Sequence, residues 1–145
     1  MPPQILTIIL AVLLTSPYQG IKPVNSVVVP TVPYCELVRN PDLYAEKIVR
    51  VKVTWVYGFE WSFLYGRECM DTGKRASIKF EDEDNLCYAA KKNLRKLKHK
   101  FDNKADIVVV GKMSVGHYGS EGGYYNYQFL VTCLEDVKTI STNAP

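Results

Sequence analysis

Residues 47–56 read KIVRVKVTWV, and the alternation within them indicates the fold class. Apolar side chains occupy every second position from Val49 to Trp55, and charged or polar side chains occupy the positions between them. A period of two is typical of a β-strand that buries one of its faces. The stretch therefore predicts a strand near the start of a β-rich domain.

Further strands are predicted over residues 62–65, 75–80, 106–115 and 125–137. Gly111 interrupts an apolar alternation from Ile107 to Val115, which indicates a bulge or a sharp bend in the fourth strand. In the fifth strand Asn126 and Gln128 are expected to face outward. Its expected core-facing side chains are Tyr125, Tyr127, Phe129, Val131 and Cys133.

A helix is predicted over residues 86–101, with Asp84 or Asn85 as its N-cap. The helix face that points away from the core is basic from Lys91 to Lys104. A solvated helix face is the more common explanation of such a pattern, and contact with a polyanion or an anionic surface is the alternative. The helix places one apolar stripe against the core, formed by Leu86, Ala90, Leu94, Leu97 and Phe101.

The order of elements is three strands, one helix and two strands. This order predicts an all-β domain with one helix, a small β-barrel. It resembles the OB-fold, a five-stranded Greek-key barrel, with the helix between strands 3 and 4.

The N-terminal residues are predicted to lie outside this domain. Residues 5–14 read ILTIILAVLL, an apolar run that is too short for a bilayer span of about 20 residues but suits a secretory leader. We therefore expect a signal peptide or an N-terminal anchor over residues 1–26 and a tether over 27–33. The barrel domain is expected over 34–140 and a flexible tail over 141–145, with no stable membrane span after removal of the leader.

Four cysteines occur in the chain, Cys35, Cys69, Cys87 and Cys133. An even number in a small exported domain predicts two disulfide bonds. Three pairings are open, and Cys35–Cys69 with Cys87–Cys133 is the preferred one. The gaps between the cysteines are far longer than those of a zinc site, so no metal is predicted. No cofactor is predicted either.

The stretch CELVRNPDLYAEKIVRVKVTW resembles the start of a group of largely uncharacterised exported bacterial proteins with OB-like barrels. The residues that match the group's pattern are Cys35, Leu37, Pro41, Tyr44, Lys47, Val49 and Val51. Glu46 departs from that pattern, because the group usually has glycine at this position. The resemblance implies the barrel and carries no known activity.

Two aromatic loops are the candidate ligand site, because in an OB-fold the loops joining strands 1–2 and 4–5 flank one groove. The first covers residues 57–65 and contributes Glu60, Trp61 and Tyr65. The second covers residues 116–125 and contributes His117, Tyr118 and Tyr124. Aromatic side chains that fill the barrel or stiffen its hairpins are the alternative.

These observations predict an exported, non-catalytic binding module. Its ligand is expected to be an oligosaccharide, an oligonucleotide or a peptide, and the net charge of +3 neither requires nor excludes a polyanion. One alternative is a structural or protein-interaction component of the cell envelope. A small metal-dependent nuclease or hydrolase is less favoured, since no nucleophile–base motif is visible.

Overall fold

The computed structural model describes residues 28–58, 62–97, 104–119 and 124–140. The predicted leader and C-terminal tail, together with Glu60 and Trp61, lie outside these residues. The described residues form three helices, α1 (Tyr34–Arg39), α2 (Pro41–Tyr44) and α3 (Tyr88–Leu97). They also form five strands, which are β1 (Val49–Tyr57), β2 (Ser62–Tyr65), β3 (Ala76–Phe80), β4 (Lys104–Tyr118) and β5 (Tyr125–Thr139).

The five strands form one sheet that closes on itself in the order β1-β2-β3-β5-β4, because β4 also pairs with β1. The β3–β5 pair is parallel and the other pairs are antiparallel. The prediction of a small, mainly β domain is confirmed. The prediction of a single helix is wrong, because α1 and α2 precede β1 and α1 buries Leu37 and Val38.

The alternation in β1 is confirmed, since Val49, Val51, Val53 and Trp55 are all buried. The alternation in β5 changes phase at Thr132, whose hydroxyl donates to the Val110 carbonyl oxygen at 3.1 Å. Val110 pairs with Cys133 and Gly111 with Val131, so Thr132 is the extra residue of a bulge. Leu134 therefore takes the core position predicted for Cys133, which is only half-buried.

The bulge leaves Cys133 free to reach Cys87. Both preferred disulfides, Cys35–Cys69 and Cys87–Cys133, are present. The prediction that Asp84 or Asn85 caps the helix is wrong, because both lie within a preceding 3-10 turn, Glu83–Asn85. Instead Cys87 directly precedes α3, and its sulfur accepts from the Ala90 amide at 3.3 Å.

Helix α3 packs along β5 through its predicted apolar stripe, of which Leu86, Ala90 and Leu97 are buried. Phe101 lies outside the described residues. Asn93 was not predicted as an inward residue, yet its side-chain amide donates to the carbonyl oxygens of Leu134 and Glu135 at 2.9 and 3.3 Å. These bonds fix the helix to the sheet.

The predicted tether is extended but docked along β1. The Val32 amide donates to the Arg50 carbonyl oxygen at 2.9 Å, and the Arg50 amide donates to the Pro30 carbonyl oxygen at 2.8 Å. The Arg50 guanidinium bonds both carboxylate oxygens of Glu135, at 2.7 and 2.8 Å, and this pair holds the pKa of Glu135 below its usual value.

Glu46 has a φ of 60°, the left-handed conformation that favours glycine. A non-glycine residue in this conformation destabilises the folded state by roughly 1–2 kcal/mol. Glycine removes this strain, but it also makes the unfolded chain more flexible, which offsets roughly 0.4–1 kcal/mol of the gain. We expect Glu46→Gly to raise the free energy of unfolding by about 0.5–1 kcal/mol in urea denaturation. Glu46→Ala keeps the Cβ atom and is the control, and an equal gain in both variants would contradict the explanation.

Candidate ligand-binding face

An aromatic cluster lies on the outer side of β2, β3 and β5, and Phe63 is at its centre. The Phe63 ring lies 6.3 Å from the ring of Tyr65 and 5.9 Å from the ring of Tyr125, centroid to centroid. The Arg75 guanidinium carbon lies 4.6 Å from the Phe63 centroid, within the range of a cation–π contact. We name Phe63, Tyr65, Arg75 and Tyr125 the aromatic face.

The pairing of β2 with β3 explains why Phe63 points outward. Leu64 is fully buried and pairs with the buried Ala76, so its neighbours Phe63 and Tyr65 must point to the opposite side of the sheet. Phe63 pairs with Ser77, and Arg75 lies two residues before Ser77 on the same side. The aromatic face is therefore a product of strand register.

Arg75 has no carboxylate partner within the described part of the chain. Its Nε atom is buried and has no hydrogen-bond partner among the described residues. Burial raises the pKa of the Tyr125 phenol, and the charge of Arg75 opposes that rise. Arg75 is thus a cation that lies over an aromatic ring and has no ion-pair partner among the described residues.

A polar row continues from the aromatic face across the sheet. The Gln128 side-chain amide donates to the Ser77 hydroxyl at 3.3 Å. On the next strand the Tyr118 hydroxyl donates to the Ser114 hydroxyl at 2.9 Å, and Ser114 pairs with Gln128. These groups can donate to and accept from a ligand that lies across the strands.

The strands of this side carry cations and few carboxylates. No Asp or Glu occurs in β2 or β3, in β5 before Glu135, or in β4 after Asp106. Lys79 and Lys112 occupy outward positions beyond the polar row, and both pair with Leu130 across the strands. Lys112 meets Glu46 at 3.6 Å, a contact between exposed groups that contributes little.

The structure brings together only part of the predicted site. Tyr65 belongs to the aromatic face. Tyr118 and His117 are on β4 rather than in a loop, because β4 extends to Tyr118 and pairs there with Tyr125. Tyr124 is 72% exposed, and neither it nor His117 has a ring contact or hydrogen bond with the aromatic face within the described residues.

Two other predictions near this hairpin are corrected by the structure. Tyr125 was expected in the core but belongs to the aromatic face, whereas Tyr127 and Phe129 are inward as predicted. Val115 was expected to share the core face of β4 but is 59% exposed, because the hairpin extends past the body of the sheet. Phe63 and Arg75 were not predicted as site residues at all.

A separate cleft of about 350 Å³ lies beside the Cys35–Cys69 disulfide and has both charged and apolar lining residues. Asp106 accepts from the Thr54 hydroxyl at 2.8 Å and from the Arg67 guanidinium at 2.7 Å. Asp106 and Arg67 thus neutralise each other's charge within this cleft.

Within the described residues, no helix is long and apolar enough to cross a membrane, and no cluster of three or more His, Cys, Asp or Glu side chains is arranged to hold a metal ion. Comparisons with protein-family models, with curated proteins and with solved structures found no match to this chain.

Proposed function

We propose that this chain is an exported, non-catalytic ligand-binding module built on an OB-like Greek-key barrel. The strand order β1-β2-β3-β5-β4, the parallel β3–β5 pair and a helix between β3 and β4 support this barrel. Both disulfides are compatible with export, because such bonds persist in oxidising compartments.

The aromatic face carries the proposal, and its single most informative residue is Arg75. The Arg75 guanidinium lies over Phe63, whose ring also contacts those of Tyr65 and Tyr125, and no carboxylate among the described residues pairs with it. Aromatic side chains stack on the rings of a ligand, and arginine binds its anionic groups. The ligand is therefore a chain of rings joined or decorated by anionic groups.

A single-stranded oligonucleotide and an acidic oligosaccharide both have this chemistry. A neutral oligosaccharide or a peptide without acidic groups would use the rings but would supply no anion to Arg75. The polar row of Ser77, Gln128, Ser114 and Tyr118 extends the aromatic face in the direction that crosses the strands. We therefore expect the ligand to lie across β2, β3, β5 and β4 rather than along one strand.

We expect Tyr65→Ala and Arg75→Gln each to weaken ligand binding by roughly 5- to 150-fold, which corresponds to the loss of one stacked or charge-assisted contact. The measurement is fluorescence anisotropy with labelled single-stranded oligonucleotides and acidic and neutral oligosaccharides. Tyr88→Ala is the matched control for the ring, because Tyr88 is an aromatic residue on α3 that is 82% exposed. Lys92→Gln is the control for the charge.

Affinity for a neutral oligosaccharide equal to that for an acidic one would exclude the role given to Arg75. If Tyr65→Ala and Arg75→Gln leave every measured affinity unchanged, as the two control variants should, the aromatic face is rejected as the binding site.

A further inference from the structure

A second cleft, of about 430 Å³, lies between α3 and the ends of β1 and β3. Trp55 and Tyr57 form one side, with ring centroids 4.8 Å apart, and Leu86, Leu94 and Leu97 line the cleft from α3 and the segment before it. Small-molecule sites of proteins are typically concave, about 300–1,000 Å³ in volume and mainly apolar. The dimensions and lining of this cleft are those of a site for one small molecule.

The cleft is distinct from the aromatic face. Trp55 and Tyr57 continue the inward-facing alternation of β1 from Val49 to Val53, so the cleft opens at one end of the interior of the closed sheet. The aromatic face lies on the outside of β2, β3 and β5. Each site can therefore be tested while the other stays intact.

Charges of both signs surround the apolar part of the cleft. Glu81 and Glu83 contribute carboxylates from the segment after β3, and Lys91 and Arg95 contribute cations one helical turn apart on α3. No ion pair within the described residues involves any of these side chains. The cleft thus combines an apolar floor with acidic and basic groups that are not neutralised by one another.

We infer that this cleft binds a free amino acid with an aromatic or branched aliphatic side chain. The ligand side chain packs against Trp55 and Tyr57, its carboxylate meets Lys91 and Arg95, and its ammonium group meets Glu81 and Glu83. An anionic amphiphile would leave the carboxylates of Glu81 and Glu83 without a partner, and a cationic amphiphile would leave Lys91 and Arg95 without one. Only a zwitterion pairs with both sets of charges.

The test compares three ligands with the same phenyl group, which are L-phenylalanine, phenethylamine and 3-phenylpropionate. Binding to the full chain is measured by calorimetry and by tryptophan fluorescence. We expect saturable binding of phenylalanine, with each single-charge analogue about tenfold weaker because one charge-assisted contact is lost. Equal affinity for all three ligands, or no saturable binding up to about 10 mM phenylalanine, would overturn the inference.

The variant Lys91→Gln with Arg95→Gln is expected to bind phenylalanine about tenfold more weakly, at the level of phenethylamine. Lys92→Gln with Lys96→Gln is the matched control, because it removes the same charge from exposed positions of the same helix. An equal loss of phenylalanine affinity in both double variants would mean that binding depends on the net charge of the helix, and this result would contradict the proposed site. Arg75→Gln should leave phenylalanine binding unchanged, because Arg75 does not line this cleft. The proposal for the aromatic face can therefore fail without affecting this inference.

Discussion

Loss of both disulfides is expected to unfold the domain at physiological temperature. The bonds join cysteines that are 34 and 46 residues apart, and closing loops of this length stabilises the folded state by about 4 kcal/mol each in the chain-entropy treatment. Domains of this size are stable by only about 5–15 kcal/mol. The sum of the two loop terms is therefore comparable with the whole stability of the domain.

The two disulfides act at different places. Cys35–Cys69 joins α1 to the segment between β2 and β3, and both of its cysteines are buried. Gly66 lies against this bond, since a Cβ atom there would be 2.6 Å from the Cys35 sulfur. Cys87–Cys133 joins the residue before α3 to the bulged part of β5, and both cysteines are half-buried. Loss of the first bond should thus also disturb packing.

The measurement is urea denaturation of the variants Cys35→Ala/Cys69→Ala and Cys87→Ala/Cys133→Ala and of the quadruple variant. We expect each double variant to lose about 2–4 kcal/mol, with the larger loss at Cys35–Cys69. A reducing agent should destabilise the parent but should not alter the quadruple variant, which contains no cysteine. A quadruple variant within about 2 kcal/mol of the parent would refute the expectation.

The sequence predicts the strands well because one buried face leaves a strong period of two. Strand β1 shows this clearly, and the observed bounds of β2, β3 and β5 lie close to the predicted ones. The prediction weakens where an alternation changes phase. Because of the bulge at Thr132, Leu134 rather than Cys133 occupies the core position. The local sequence does not predict this bulge, because it depends on the pairing of β5 with β4.

The aromatic face could not be predicted for a related reason. Strand β2 is four residues long and reads SFLY, in which apolar residues fill three successive positions. Such a stretch does not reveal which side chains face the core. The pairing of Leu64 with Ala76 decides the question, and it brings Phe63 beside Arg75, twelve positions away in the chain. The ligand site was predicted in the loops instead, because the tyrosines and glycines of these segments are close together in the sequence.

Replacement of Gly111 by alanine is expected to destabilise the domain by about 3 kcal/mol or more. A Cβ atom at this position would lie 2.0 Å from the Leu130 carbonyl oxygen and 2.9 Å from a ring carbon of Phe129. The first of these atoms belongs to the backbone of β5, so a change of side-chain rotamer cannot remove the clash. Relief requires β4 and β5 to move apart.

The position of Gly111 makes that movement costly, because the residue belongs to two ladders. It pairs with Val49 of β1 on one side and with Val131 of β5 on the other, immediately beside the bulge. Val49, Val131 and Phe129 are fully buried, so separation of the strands would also expose the centre of the core. The glycine predicted from the sequence as a bend is thus the residue that allows β4 to close the sheet.

Gly73→Ala is the matched control, since a Cβ atom at Gly73 would meet nothing within 4 Å. We expect this variant to stay within about 0.5 kcal/mol of the parent in urea denaturation, while Gly111→Ala shows the large loss. Equal stability of the two variants would mean that β4 and β5 tolerate a wider separation than the closed sheet has.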